Sequence, residues 1–190
     1  MNILILGYSN IFKKRIRDVL VKKKINFSIA SKSSPLLDKK AKTWFRNYMS
    51  ALNNSTADTV YISLPNSLHY YWAKRALEKG FHVIVDKPIC KNYSQAKNLV
   101  TLAKKKNKLI AEATFFNYHK QFTKALKLLK GSKNIQHIST NFVIPQPKKE
   151  SILMSKKLLG GCFMDMAPYA AAVPRIFCYG KVLSIKKNML

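Results

Sequence analysis

The sequence predicts an α/β fold, a doubly wound parallel sheet followed by an incomplete α+β domain. From Ile3 to Phe116, short β-rich apolar runs alternate with amphipathic helical stretches, the order that builds a parallel sheet. Within it, Val60 to Pro88, VYISLPNSLHYYWAKRALEKGFHVIVDKP, reads as strand, turn, helix, strand and turn, a complete βαβ unit. Polar clusters, Pro65-Asn66-Ser67 and Asp86-Lys87-Pro88, close its two strands. Ligands of such sheets gather at the carboxyl ends of the strands. A chain of 190 residues, 47% hydrophobic, suffices for one domain, or for one domain and part of another, with side chains enough for a core.

Taken in order, Ile3 to Leu6 is a short apolar run that ends at Gly7. A helical pattern follows, with Phe12, Ile16, Val19 and Leu20 on one face and Lys13, Lys14, Arg15 and Arg17 on the other. Strand, glycine, helix is how a dinucleotide site opens, with backbone N–H groups at the helix start meeting a pyrophosphate. The Gly-x-Gly-x-x-Gly fingerprint is reduced here to Gly7-Tyr8-Ser9-Asn10-Ile11-Phe12. Ser9 is small and offers a hydroxyl to phosphate, whereas Phe12 is bulky where a third glycine lets helix and strand approach. On these residues alone the segment is either a cofactor turn or a plain strand-to-helix turn. Ile25 to Ala30 is the expected second strand. An NAD site usually places an Asp or Glu after it for the ribose hydroxyls. Ser31-Lys32-Ser33-Ser34 stands there instead, which either suits the 2′-phosphate of NADP or is a polar loop before Pro35.

Leu37 to Leu52 has two readings. One is an amphipathic helix marked by Leu37, Ala41, Trp44, Phe45, Tyr48 and Leu52; the other is a short strand, Lys42 to Phe45, and then a helix. Asn53-Asn54-Ser55-Thr56 is a loop by composition. In the central unit, Val60 to Leu64 is a strand broken by Pro65, and Asn66 or Ser67 is expected to cap the next helix. Ala73, Ala76 and Leu77 form that helix's apolar stripe, and Gly80 supplies the left-handed residue at its end. His82 to Val85 is the following strand. Ser94 to Lys106 is a helix with Ala96, Leu99, Val100 and Ala103 in register, and Leu109 to Phe116 is the next strand. From Asn117 the character changes. A short helix, Gln121 to Leu129, ends near Gly131, and Ile135 to Ile144 alternates like an antiparallel strand. Pro145 and Pro147 open a loop, Gly160-Gly161 precedes an Ala-rich helix from Asp165 to Phe177, and Val182 to Ile185 begins another strand. Two strands do not make a stable sheet, so the second domain is expected to be incomplete.

The formal net charge is +27, and only five of the cations, Arg15, Arg17, Arg46, Arg75 and Arg175, are arginines. The lysines fall in short clusters such as Lys22-Lys23-Lys24 and Lys104-Lys105-Lys106, at the polar ends of expected helices. A nucleic-acid reader would interleave arginines and aromatics on one surface, so nucleic acid is not the expected partner. A phosphate-rich small molecule would be drawn by the same field. Cys90, Cys162 and Cys178 are odd in number and show no paired spacing, which argues against a disulfide framework or a zinc site. The amino terminus enters a strand directly, unlike a signal peptide, and no stretch is long enough to cross a membrane. A soluble, cytoplasmic protein is expected.

The run VYISLPNSLH with ALEKGFHVIVDKP resembles the corresponding segment of the Gfo/Idh/MocA family of sugar and cyclitol oxidoreductases, whose signature ends in Glu-Lys-Pro; Asp86 stands in place of the Glu. AEATFFNYHKQF (Ala111 to Phe122) is similar to the family's last Rossmann strand and crossover, although Asn117 and Lys120 stand where Arg and Pro are common. GGCFMDMAPYAAAVPRIF (Gly160 to Phe177) is similar to the Gly-Gly…Asp-x-x-x-His/Tyr helix of the second domain. The resemblance covers essentially the whole chain. It implies a Rossmann-type NAD(P)-binding domain over residues 1–118 and a partial substrate or dimerisation domain over 119–190. The implied reaction is hydride transfer between nicotinamide and a hydroxyl-bearing carbon of a sugar-like substrate, with NADP expected and NAD the alternative.

By the same resemblance, Lys87 orients nicotinamide and substrate hydroxyl, Asp165 holds the substrate or tunes its neighbours, and Tyr169 is the hydroxyl acid/base. The implied cofactor contacts are Gly7, Ser9, Asn10, Ile11, Ser31, Lys32, Leu64, Pro65, Asn66, His69, Asp86 and Lys87. Alcohol oxidation needs a proton acceptor as hydride leaves, and Asp165 and Tyr169, four apart, share one helix face. Each has a structural alternative: a surface lysine before Pro88, a dipole-complementing carboxylate in a first turn, a packing aromatic. His69 lies near the nicotinamide ribose or caps its helix, and His119 is a weaker substrate-facing candidate. Family members are much longer, so the second domain is expected to be truncated, with its substrate pocket open to water. Two other readings follow: a catalytically impaired nucleotide-binding remnant, and a polyanion-binding protein that uses its lysines.

Overall fold

The computed structural model describes residues 1–32, 38–129, 135–178, 183–184 and 186. Six strands form one sheet: β1 (Asn2–Leu6), β2 (Asn26–Ala30), β3 (Trp44–Phe45), β4 (Thr59–Ile62), β5 (His82–Asp86) and β6 (Ile110–Ala113). Their spatial order is β3-β2-β1-β4-β5-β6, and every pairing is parallel. The order reverses between β1 and β4, which makes their carboxyl ends the topological switch point, where ligands of open α/β sheets bind. Leu6 pairs with Ile62 and Ile62 with Val85. The residues just beyond, Gly7, Ser63 and Asp86, therefore emerge side by side.

The core follows from the period of two along each strand. Leu4, Leu6, Val60, Ile62, Val83 and Val85 pack on one face with Ala73, Ala76, Leu77, Leu99 and Ala103. Ile3, Ile5, Phe27, Ile29 and Tyr61 pack on the other with Phe12 and Leu20. The helices are α1 (Arg17–Lys22), entered through a π-type turn at Phe12–Ile16, α2 (Tyr48–Asn54), α3 (Asn66–Glu78), α4 (Tyr93–Lys105), α5 (Lys120–Leu128) and α6 (Cys162–Phe177). Asn47 caps α2 by accepting from Ser50 N (3.0 Å), and Asn92 caps α4 by accepting from Gln95 N (3.0 Å). Gly80 closes the α3 end at φ +86°, the left-handed conformation expected of it.

Several elements differ from expectation. Leu37 to Leu52 follows the strand-then-helix reading, with Leu37 itself outside the described residues. Neither Asn66 nor Ser67 caps α3, because Pro65 occupies the N-cap and makes no side-chain bond there. Val19 is 54% exposed rather than part of the buried face of α1. β6 stops at Ala113, opposite Asp86, the last residue of β5; beyond Asp86 the chain turns through Lys87-Pro88, so the ladder has no further partner. Ile135 to Ile144 is not a strand. Alternation makes a strand only where a neighbour completes the backbone ladder, and among the described residues none pairs with it; Val143 is 83% exposed. The expected end near Gly131 and most of the expected strand Val182 to Ile185 lie outside the described residues.

The chain divides into two compact units, Met1–Ala113 with Gln146–Asp165, and Thr114–Pro145 with Met166–Leu190. In the first, Gln146–Asp165 returns to the sheet after the excursion that follows β6. The second contains α5 and most of α6, and its described packing includes Phe122 against Phe116 and Phe177. No described helix is long and apolar enough to cross a membrane.

Candidate active site at the carboxyl ends of the strands

Gly7 makes the turn out of β1. Its N–H donates to Ala30 O (2.9 Å) and its φ is +98°. A tight glycine turn at this place, with Asn10 and Ile11 exposed just before the helical turn, fits a pyrophosphate as a dinucleotide site requires. Phe12 N–H donates to Ser9 Oγ (3.0 Å), and Ser9 Oγ lies 2.5 Å from Ser63 Oγ. Ser63 in turn donates to Asp86 Oδ2 (2.6 Å). A hydroxyl has one proton to give. With the Ser63 proton directed at Asp86, the Ser9 proton must be directed at Ser63. In this arrangement it is an internal bond rather than a phosphate donor. Phe12 fills the third-glycine position by burying its ring edge-on against Phe27, 5.8 Å between centroids.

Asp86 collects this chain of bonds. Its second oxygen accepts from the Tyr61 hydroxyl, so the ends of β1, β4 and β5 are tied through one carboxylate. Burial pushes the Tyr61 phenol far above its ordinary value, and the neighbouring Asp86 charge adds to this. Tyr61 therefore stays a donor throughout the working range of pH.

Lys87 follows Asp86, and the Lys87–Pro88 peptide is cis. Its ammonium donates to Asp165 O (2.8 Å) and to the Asp165 carboxylate, with side chains 18% and 14% exposed. In a partly buried pair, separating the partners would leave each charge poorly solvated. Asn66 Nδ2 donates to Leu159 O (2.9 Å), which fastens the start of α3 to the segment that delivers Asp165. Gly160 and Gly161 shape that segment: a β-carbon on Gly160 would meet Ile152 O and Leu153 O, each at 2.5 Å, and Gly161 has φ +105°. The sequence thus names Lys87 and Asp165, and the structure brings them together across 78 positions.

The other sequence-named residues are placed as follows. Ser31 is buried, with its N–H on Phe45 O (3.0 Å), and Lys32 is exposed at the end of β2. The Leu64 side chain packs beside Gly7, and Pro65 opens α3. His69 does not cap α3: both ring nitrogens lie on protein carbonyls, Nδ1 on Pro88 O and Nε2 on Leu64 O, each at 2.7 Å. His119 accepts from Gln121 N (3.3 Å) at the start of α5. Tyr169, in the second unit, packs against Phe116 and stacks on Phe142, with centroids 5.2 and 5.8 Å away.

Sequence reasoning missed Tyr61, Ser63, Glu112 and the pair Arg17–Asp38. Arg17 reaches Asp38 with two bonds, Nε to Oδ2 (2.6 Å) and Nη2 to Oδ1 (2.9 Å), and Tyr8 packs alongside, edge-on to Trp44. An aspartate shortly after β2, where the chain otherwise carries serine and lysine, was the available signal. Among the described residues no group of three His, Cys, Asp or Glu is placed to hold a metal ion.

Comparison with known proteins agrees with this geometry. A dTDP-3,4-didehydro-2,6-dideoxy-α-D-glucose 3-reductase from Streptomyces violaceoruber is 30% identical over 148 residues, 75% of this chain and 43% of its own. A D-xylose 1-dehydrogenase (NADP+) from Haloferax volcanii is 27% identical over 137 residues, 71% of this chain and 42% of its own. The crystal structure of a 3-ketoreductase from Actinomadura kijaniata, in complex with NADP and TDP-benzene, matches with a TM-score of 0.84 at 24% identity, a likeness of fold over 93% of this chain and 57% of that one. The chain thus spans about half the length of these relatives. Residues 1–114 match the oxidoreductase family with an NAD-binding Rossmann fold, and the chain belongs to this Gfo/Idh/MocA family.

Proposed function

We propose that this chain takes part in hydride transfer between NADP, with NAD the alternative, and a hydroxyl or keto carbon of a sugar or sugar-like substrate. The observation that carries the reading is the partly buried Lys87–Asp165 pair at the carboxyl end of β5, in a chain of an oxidoreductase family. The nicotinamide supplies the redox chemistry when bound. Lys87 orients the reacting hydroxyl, Asp165 fixes the Lys87 ammonium, and Tyr169 exchanges the hydroxyl proton. Gly7, Asn10, Ile11, Ser31 and Lys32 form the cofactor side, with residues 1–118 as the binding domain and 119–190 as the substrate side. The named relatives act on a dTDP-linked deoxysugar and on xylose, which makes free or nucleotide-linked sugars the substrates to try. The setting we propose is cytoplasmic carbohydrate metabolism, with a second copy of the chain, and not nucleic acid, as the macromolecular partner.

Titration of the full chain with NADPH and NADH, read by fluorescence or calorimetry, tests the reading. Saturable binding, tighter for NADPH, followed by turnover of a sugar, is expected; binding of neither cofactor would overturn it. Lys87→Ala should abolish turnover while cofactor affinity stays within a few-fold. The internal Ser9–Ser63 bond favours a second reading, a nucleotide-binding but catalytically impaired chain, and cofactor binding without turnover of any sugar tried would select it.

A further inference from the structure

His69 is 1% exposed. Its two partners, Pro88 O and Leu64 O, are carbonyl oxygens and can only accept. In either tautomer the ring donates to one of these carbonyls and lies against the other, so it bridges the two turns. The Pro88 carbonyl belongs to the Pro88–Ile89 peptide, whose N–H donates to Glu112 Oε2 (2.9 Å). This one peptide is therefore gripped from both sides, by a carboxylate on β6 and by a ring on α3. The bond to the carboxylate polarises the peptide and strengthens Pro88 O as an acceptor. The other ionisable groups on this turn are Asp86, Lys87 and Cys90. Asp86 is bonded to Tyr61 and Ser63, the Lys87 charge is met by Asp165, and burial pushes the Cys90 thiol up, which keeps it neutral.

We propose that His69 is a positioning residue that fastens the Lys87-Pro88-Ile89 turn to the Leu64-Pro65 turn and so sets the stance of Lys87. The fastening stands on geometry alone; its effect on turnover rests on the proposed role of Lys87. Glu112 holds the same peptide from its N–H side.

The test uses the 15N-labelled full chain. His69→Phe keeps a ring and removes its hydrogen bonding to both turns. It should lower hydrogen-exchange protection of the Ile89 amide about tenfold or more while β1 and β4 amides hold theirs; unchanged protection at Ile89 would count against the clamp. If His69→Phe does not fold, Glu112→Gln serves, since it keeps an acceptor for Ile89 N without the charge. With the charge gone from its side of the peptide, Ile89 protection should fall several-fold, and unchanged protection would refute the shared grip. In a chain that turns over sugar, His69→Phe should lower kcat with cofactor affinity within a few-fold. An unchanged kcat would remove the positioning role. A chain that turns over nothing fails the functional reading, and the exchange data still decide the clamp.

Discussion

A β-carbon on Gly7 would lie 2.3 Å from Ser63 O and 2.8 Å from Leu64 Cδ2, and the residue's φ of +98° disfavours any side chain besides. The Leu64 methyl can turn aside, but the Ser63 backbone cannot. Gly7→Ala is expected to destabilise the chain by about 2–4 kcal/mol, strain and overpacking together, read as a urea midpoint shift; an unchanged midpoint would show that β4 can withdraw. Gly161 has the same kind of φ, +105°, but nothing within 4 Å, so only the conformational part applies. The need for glycine at position 7 is legible from the sequence, because strand-glycine-helix has a local cause. The internal use of Ser9 is not, since its partner Ser63 lies 54 positions away. Nor is the placement of His69, whose partners are carbonyls that every residue possesses.

Between elements, the tie from α1 to the segment after β2 is the Arg17–Asp38 pair. Burial by itself would favour the protonated form of Asp38, yet the Arg17 guanidinium, the Lys40 amide and the Tyr8 hydroxyl together hold its carboxyl below the ordinary value. A carboxyl depressed in the folded state contributes stability that is whole above the unfolded value of about 4 and is lost as pH falls through the depressed value. Removing one partner leaves the other uncompensated. Arg17→Ala should destabilise by about 3 kcal/mol at neutral pH, and Asp38→Asn should flatten the acid limb of the urea midpoint against pH. A wild-type-like acid limb in Asp38→Asn would show that other carboxylates set it. At this scale the sequence was most readable where cause is local: the βαβ unit from Val60 to Pro88, the helices of the first unit and the β1 turn. It was least readable at Leu37–Leu52, where a two-residue strand, Trp44–Phe45, is fixed only by its neighbour β2. It misled at Ile135–Ile144, where alternation was present and a partner strand was not.

Over the whole molecule, 35 cations face 8 acids. Seven of those acids, Asp18, Asp38, Asp58, Glu78, Asp86, Glu112 and Asp165, already hold specific bonds. Among the described residues the ion pairs use only Arg17, Lys74, Arg75 and Lys87 of the cations. The folded chain therefore carries a large repulsion that mobile ions alone can relieve. Raising salt from about 0.01 M to about 0.15 M shortens the screening length from about 30 Å to about 8 Å. It should raise the melting temperature by about 3 °C or more; a flat or falling melting temperature would mean that the lysines are compensated in ways the described contacts omit.

The distance along the chain between Lys87 and Asp165 also sets a schedule. A ribosome adds roughly 5–20 residues per second. The last described strand ends at Ala113, and Asp165 is made some 3–10 s later at those rates. During that interval the sheet can be complete while the Lys87 ammonium lacks the carboxylate it later meets. The newborn chain thus passes through a stage in which this amine is open to whatever anion is near, and the arrival of Asp165 closes it.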